Sequence, residues 1–180
     1  MNLLCDNIAK ETILKLLNNA LELEHAARVQ YLSHAEILDG LNAEPIIARL
    51  KEIAEDENKH EEKFRNLIGL LGGVPSMGLS ATHTAKDVRE VLEQNLKDEK
   101  VAVDTYRGIL EVVRKEGTKY YDYLLEHEIR DVITDEEEYI TEIELLLGTQ
   151  GSSYWDGAEK VIVVDEPAPT SREQPISKAN

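Results

Sequence analysis

The fold of this chain is decided by the segment EDENKH, residues 55–60, which lies inside a long helical pattern. Apolar residues recur around it at helical spacing; they are Ile46, Ile47, Leu50, Ile53, Ala54, Phe64, Leu67, Ile68 and Leu71. Glu57 and His60 fall within this apolar stripe. Because a buried carboxylate is costly unless it is paired or bound to a cation, the pattern indicates a positive charge inside the fold.

Three other segments show the same periodicity, and the chain is predicted to form four helices. The first is expected from about Asn7 to Leu38, and the fourth from about Tyr120 to Leu147. The second begins near Pro45 and ends near Leu71, whereas the third starts at the capping sequence from Thr84 to Asp87 and ends before Gly117. Residues 72–84, rich in Gly, Ser, Thr and Pro, are long enough to run back along a whole helix.

These elements predict an all-α fold, an antiparallel four-helix bundle with a long crossover between helices two and three. Residues 1–148 are expected to form the bundle domain, and residues 149–180 a C-terminal extension. In that extension, Trp155 and the β-prone run Val161–Val164 are expected to dock on the bundle or on a neighbour, and residues 166–180 to be flexible.

Charge and cysteine content narrow the classes of function. The chain has 36 acidic and 20 basic side chains and a net charge of −16, so its surface should repel nucleic acid and anionic membranes and attract cations. Cys5 is the only cysteine, which excludes an intrachain disulfide and a cysteine-based metal cluster. No stretch approaches the roughly 20 apolar residues of a membrane span, and a cytoplasmic location is expected.

The two halves of the chain repeat one arrangement of metal-ligand residue types. Each half has a Glu followed seven residues later by Tyr, and then a Glu-x-x-His or Glu-x-x-Tyr pair; these residues are Glu24, Tyr31, Glu57, His60, Glu99, Tyr106, Glu136 and Tyr139. Folding two such helix pairs into a bundle brings four inward carboxylates together. Two cations would neutralise them, and carboxylate with imidazole suits iron or manganese.

This pattern, with the helix order and the crossover, resembles the ferritin-like superfamily over about residues 10–148, most closely bacterioferritin and the Dps-like proteins with a bacterioferritin-type di-iron site. The resemblance implies two iron ions per chain, with manganese as the alternative metal. Glu24 and Glu99 would then be terminal ligands of one iron each, and Glu57 and Glu136 would bridge the two. His60 would complete the shell of one iron.

The chain departs from this family pattern at two positions. Tyr139 stands where the second histidine belongs, and it could bind iron as a phenolate or leave one iron short of a ligand. Glu138 and His127 are poorer substitutes, because Glu138 points about 200° away from Glu136 on the helix and His127 lies more than two turns away. Asn58 stands where bacterioferritin-like chains carry a haem-ligating methionine, so we expect no haem.

The resemblance implies a non-haem ferroxidase that oxidises Fe(II) with O₂ or H₂O₂ for iron storage or detoxification. Tyr31, Tyr106 and Tyr139 are candidate catalytic residues, although Tyr31 and Tyr106 could instead be core residues that hydrogen-bond carboxylates. A homo-oligomer is expected, and a shell of 12 or 24 subunits would suit storage.

Two other functions remain open. The first is a di-iron or dimanganese enzyme that disposes of peroxide and stores nothing. The second is a bundle whose metal site has decayed, which would act as an interaction module; Tyr139 is its best argument. Three histidines outside the pattern, His25, His34 and His83, are expected at the surface.

Overall fold

Four long helices make up most of the part of the chain that the computed structural model describes, which is residues 3–41, 43–116 and 122–149. They are α1 (Leu3–Ile37), α2 (Ala43–Leu70), α3 (Val88–Glu116) and α4 (Asp122–Leu147). Helices α1 and α2 form one antiparallel pair and α3 and α4 the other, and α1 also packs against α3. The predicted all-α bundle with its long crossover is therefore confirmed.

Left-handed glycines end two of the helices. Gly72 after α2 has φ 69°, and Gly148 after α4 has φ 71°, a backbone region that glycine enters without a steric penalty. The backbone N–H of the next residue then turns back to a carbonyl of the last helical turn, from Gly73 to Ile68 at 2.9 Å and from Thr149 to Glu144 at 2.8 Å. Both helices stop where the sequence places Gly, as the capping rules predict.

Helix α3 begins at Val88, immediately after the capping sequence from Thr84 to Asp87 that was predicted to start it. The side chain of Asp87 caps it, because its Oδ1 accepts a hydrogen bond from the backbone N–H of Glu90 at 3.0 Å. The Glu90 carboxylate in turn accepts from the backbone N–H of Lys86 at 3.0 Å. Asp87 is thus the N-cap residue, and Thr84 lies in the crossover.

The crossover runs alongside α1 and is tied to it by hydrogen bonds along its length. The carbonyl of Val74 accepts from the Asn18 side chain at 3.3 Å, and the backbone N–H of Ser80 donates to the Glu22 carbonyl at 3.0 Å. Further along, the backbone N–H of His83 donates to Oε1 of Gln30 at 2.6 Å. Residues 71–87 therefore return the chain to the end of the bundle where α3 starts.

The prediction that His34 lies at the surface is wrong. Its side chain is buried, with Nδ1 3.0 Å from Oδ1 of Asn95 and Nε2 3.0 Å from the backbone carbonyl of His83. The crossover also partly covers His25, whose Nδ1 donates to the Gly78 carbonyl at 2.8 Å, whereas His83 is exposed as predicted. Helical periodicity could not show this burial, because the covering segment comes from a distant part of the sequence.

Two apolar clusters fill the bundle, one toward each end. One contains Phe64, Tyr106 and Ile129, and the other contains Tyr31, Leu50 and Tyr139. The residues between them in sequence include the glutamates of the predicted site, which therefore lies near mid-height with apolar packing on both sides. Such packing shields the site from solvent along the bundle axis.

Several sequence predictions fall outside the described residues. Residues 117–121 and 150–180 belong to this part, so the docking of Trp155 and Val161–Val164 and the flexible tail stay predictions. Among the described helices, none combines the length and the apolar character that crossing a membrane requires.

Gly73 offers a direct test of the close packing between the crossover and the bundle. A Cβ at this position would lie 2.4 Å from Cδ2 of Leu14 and 3.0 Å from Cγ2 of Ile68. We expect Gly73→Ala to lower the free energy of unfolding by about 1–3 kcal/mol, measured by chemical denaturation. Gly108→Ala on α3 is the control, because the added Cβ would have no neighbour within 4 Å. This change should stabilise the protein by about 0.5–1 kcal/mol, since alanine favours a helix more than glycine does. Equal effects of the two changes would contradict the packing described here.

Candidate metal centre

Three helices bring a compact group of ligand-type side chains together. Glu24 comes from α1, Glu57 and His60 from α2, and Glu136 from α4, and each offers one ligand atom within 4.8 Å of the others. All four side chains are buried, because each occupies an inward position of a helix that is otherwise apolar on that side. The spacing of Glu57 and His60 puts both on the same face of α2. This group has the composition of a site for a cation with oxygen and nitrogen ligands.

His60 is held with one ring nitrogen toward the carboxylates and the other toward Asp135. Its Nδ1 lies 3.2 Å from Glu136, 3.3 Å from Glu57 and 3.4 Å from Glu24. Its Nε2 donates to the carboxylate of Asp135 at 3.1 Å. A second carboxylate that orients a histidine in this way fixes its tautomer and strengthens it as a ligand. The sequence analysis did not identify Asp135, because it is one of four consecutive acidic residues at positions 135–138.

Two tyrosines cross the bundle to hold two of the glutamates. The Tyr106 hydroxyl on α3 donates to Glu24 on α1, and the Tyr31 hydroxyl on α1 donates to Glu99 on α3. The repeat of Glu and Tyr seven residues apart therefore produces two reciprocal pairs across neighbouring helices. Glu99 is buried at the centre but is not one of the four most closely grouped residues.

The carboxylates perturb one another strongly in the absence of metal. Burial raises the pKa of Glu57, Glu99 and Glu136, and neighbouring glutamates raise it further. Burial would also raise the pKa of Glu24, but hydrogen bonds within the group, including one from His60, bring it below its usual range. For His60, burial lowers the pKa and the bonds to three carboxylates outweigh this effect, so the imidazole stays protonated. The cluster thus carries its own cation when no metal is bound.

Three carboxylate oxygens of the group have no hydrogen-bond partner among the described residues. They are Oε2 of Glu24, Oε1 of Glu57 and Oε2 of Glu136. Buried oxygens without partners are rare in folded proteins, and each costs about 1–3 kcal/mol or more when charged. The donor set, acidic oxygens with one imidazole, therefore fits iron or manganese ions held directly by Glu24, Glu57, His60 and Glu136.

Tyr139 is buried beside this group, but its hydroxyl is directed elsewhere. Its ring centroid lies 6.4 Å from that of His60. Although burial raises the pKa of Asp56, Lys59 and the nearby Tyr139 hydroxyl lower it below its usual range, so the phenol lies on the Asp56 side of the group. The guanidinium of Arg49 lies 5.6 Å from the ring centroid on its face. The structure therefore gives the Glu99 and Glu136 side of the group no second nitrogen ligand among the described residues.

The alternative ligands considered for this side lie at the surface. Glu138 and His127 are both exposed on α4, which agrees with the angular argument from the sequence. Glu61, one residue after His60, is buried but points away from the site and pairs with Arg65 at 2.7 Å and Arg28 at 2.5 Å. The sequence analysis did not identify Glu61 as buried. Arg65, four residues later on the same helix, was the sequence feature that could have indicated a paired, buried acid at this position.

Comparison with known proteins agrees with this fold and site. A family model described as ferritin-like domain matches residues 14–150. A bacterioferritin from Brucella melitensis is 30% identical over 136 residues, which cover 75% of this chain and 82% of the relative. A bacterioferritin from Desulfovibrio desulfuricans is 28% identical over 133 residues, covering 73% of this chain and 72% of that protein.

Solved structures show the same architecture. A ferritin-like di-iron carboxylate protein from Bacillus anthracis superposes with a TM-score of 0.73 at 24% identity, covering 82% of this chain and 99% of the other. A bacterioferritin from Rhodobacter capsulatus gives a TM-score of 0.69 at 25% identity, covering 77% and 84%. Fold and site together define a four-helix bundle with a carboxylate centre. The chain belongs to the ferritin-like family, with bacterioferritins among its relatives.

The raised pKa values give the metal-free protein a specific dependence on pH. Above about pH 5 the unfolded glutamates have lost their protons, whereas the folded protein still holds protons on Glu57, Glu99 and Glu136, so stability should fall as pH rises. The raised pKa of His60 acts in the same direction above about pH 6.5. We expect the melting temperature of the metal-free protein to fall between about pH 5 and about pH 8.

Glu57→Gln should reduce this slope, because the amide does not titrate and removes one of the repelling acids. Glu55→Gln is the matched control, since Glu55 is exposed on the same helix. Melting curves of the three metal-free proteins across this pH range provide the measurement. The same slope in Glu57→Gln and in the unchanged protein would show that the buried acids do not hold the extra protons.

Proposed function

We propose that this protein is a non-haem ferroxidase that binds Fe(II) as substrate at the carboxylate group and oxidises it with O₂ or H₂O₂, for iron storage or detoxification. Family membership supports an iron-handling role in general terms, and the group of Glu24, Glu57, His60 and Glu136 supports a metal site in this chain. The observation that carries the proposal is the convergence of these buried ligand atoms within 4.8 Å, with three carboxylate oxygens unpaired among the described residues.

The residues of the group would release protons when they bind iron. Loading the site requires the protons on Glu57, Glu136 and Glu99 and the extra proton on His60 to leave, so binding releases protons and is favoured as pH rises. Tyr31 and Tyr106 keep Glu99 and Glu24 in place through their hydroxyl donors. Asp135 accepts the Nε2 proton of His60, so that Nδ1 faces the centre and becomes a ligand once its own proton has left.

The bound iron supplies the electrons of the reaction. Two Fe(II) lose one electron each, and with two protons they convert O₂ to H₂O₂, or H₂O₂ to two molecules of water. An anionic ligand set favours this direction, because four carboxylates stabilise Fe(III) more than Fe(II). Apolar packing on both sides of the site limits the access of bulk water. Product Fe(III) could then leave for storage.

The two iron positions are proposed to be unequal. The position near His60 has a nitrogen ligand oriented by Asp135, whereas the position toward Glu99 has carboxylates and Tyr139 in place of a second histidine. We therefore expect one tight and one weak iron. The weak position suits a substrate that must leave after oxidation, and the same departure from the pattern is the strongest argument for a decayed site.

Storage would require an assembly with an interior. A Bacteroides fragilis protein with the same fold, at a TM-score of 0.69 and 24% identity, is described as a dodecameric thioferritin. Light scattering would show whether this chain forms a shell of 12 or 24 copies. A dimer has no interior, so that result would favour the enzyme that disposes of peroxide without storing iron.

The proposed function predicts a specific result in an iron titration. Under anaerobic conditions the protein should bind about two Fe(II) per chain, and exposure to oxygen should then produce the near-ultraviolet absorption of oxo-bridged Fe(III). Glu57→Ala should abolish this absorption, because it removes the carboxylate at the centre of the group.

Glu55→Ala, an exposed acid on the same helix, is the control and should leave both the stoichiometry and the absorption unchanged. If the unchanged protein binds fewer than about one Fe(II) per chain, the site has decayed and the ferroxidase proposal fails. If Glu57→Ala behaves like Glu55→Ala, iron is oxidised at another place on the protein.

Substitutions at Tyr139 test the inequality of the two positions. Tyr139→His restores a nitrogen three residues after Glu136, as His60 stands three residues after Glu57, and should tighten the weaker binding step by roughly tenfold. Tyr139→Phe keeps the ring and removes only the hydroxyl, so it should leave iron binding nearly unchanged. Anaerobic calorimetric titration measures both steps. A large loss of affinity in Tyr139→Phe would identify the phenol as a direct ligand.

A further inference from the structure

A cavity of about 60 Å³ connects the carboxylate group with the side of the bundle where α1 and α3 meet. Its inner wall includes the four buried glutamates of the candidate site. Its outer wall includes Gln30 and Asp98, and Ala81 of the crossover, which is exposed. The cavity therefore leads from the centre of the site toward solvent beneath one segment of the crossover.

Short side chains leave this space open. Ala26 and Ala27 on α1 and Ala102 on α3 all line the cavity. The space is narrow, because its volume is only about 60 Å³. Larger side chains at these positions would narrow the passage and leave the charges of the site unchanged.

The polar residues of the outer half are arranged to receive a cation. Asp98 is the acidic residue of the outer wall and its side chain is 31% exposed. It is held in place by Gln30 and Gln94, whose Nε2 atoms donate to its Oδ2 at 2.8 and 2.9 Å. Nδ1 of His83 also lies 3.3 Å from this oxygen, so the carboxylate is fixed from three sides. A fixed, partly desolvated carboxylate attracts cations more strongly than a mobile surface acid.

Asn95 adds a second, independent observation. Its side chain is only 1% exposed and lines the cavity, and its Nδ2 has no hydrogen-bond partner in the part of the chain that the structure describes. Its Oδ1 already accepts from Nε2 of Gln30 at 3.0 Å. A buried amide donor of this kind fits a water molecule that accompanies an ion through the passage.

Resting on the ferroxidase function proposed above, we propose that Fe(II) reaches the carboxylates through this cavity between α1 and α3, and that Asp98 captures the hydrated ion at its outer end. Asp98 is a positioning residue for the substrate and is not a ligand in the final site. The four glutamates, which line the inner end of the same cavity, then receive the ion.

The test measures how fast a divalent cation arrives and does not depend on oxidation. Co(II) serves as the probe, because its visible absorption changes when oxygen and nitrogen ligands bind it. Stopped-flow mixing gives the rate of binding, and an equilibrium titration of the same protein gives the stoichiometry. Asp98→Asn should slow binding by about three- to tenfold and weaken its dependence on ionic strength, with the stoichiometry unchanged.

Asp104→Asn is the matched control, since it makes the same change on the same helix at a side chain that is 80% exposed. It should leave the rate unchanged. Ala27→Leu, which fills the passage and leaves all charges in place, should slow binding independently of ionic strength. A melting curve for each variant shows that the fold is retained.

The outcomes separate this proposal from the proposed function. If the unchanged protein binds neither Co(II) nor Fe(II) at equilibrium, the metal site itself is absent and both proposals fall. If it binds Co(II) normally but Asp98→Asn and Ala27→Leu bind it at the same rate as the unchanged protein, the ferroxidase site stands and this route to it is overturned.

Discussion

Mutual repulsion among buried glutamate carboxylates is the constraint on which the structure of this bundle depends. Taking even one unpaired carboxylate out of water costs several kcal/mol, and this fold places four near one another between two apolar clusters. Protons on some of the acids and an imidazolium at His60 meet part of that cost in the metal-free protein. The helices position the charges, and a cation is what would make the arrangement favourable.

The hydrogen bonds around the group show how the fold keeps these acids in place. Tyr31 and Tyr106 each reach across the bundle to a glutamate on the neighbouring helix, and Asp135 holds the far nitrogen of His60. These contacts leave oxygens of Glu24, Glu57 and Glu136 without partners in the described residues. The supporting residues thus restrict where the carboxylates point without occupying the atoms that a metal would need.

The glutamates of the site could be predicted from the sequence for a physical reason. An acid inside an apolar stripe is easy to see at helical spacing, so Glu24, Glu57, Glu99 and Glu136 could be identified from the periodicity alone. Features that depend on contacts between distant segments of the chain could not be predicted in this way. The burial of His34 beneath the crossover is one, and the contact of His60 with Asp135 on a distant helix is another. The cavity under Ala81 belongs to the same class, since its walls come from α1, α3 and the crossover.

A crystal of the protein soaked anaerobically in Fe(II), with anomalous diffraction recorded at the iron absorption edge, would show directly whether the buried group holds metal. We predict a strong peak among Glu24, Glu57, His60 and Glu136, and a weaker second peak toward Glu99. Peaks found only at surface acids, with the central side chains unchanged, would contradict the claim that this buried group exists to hold metal.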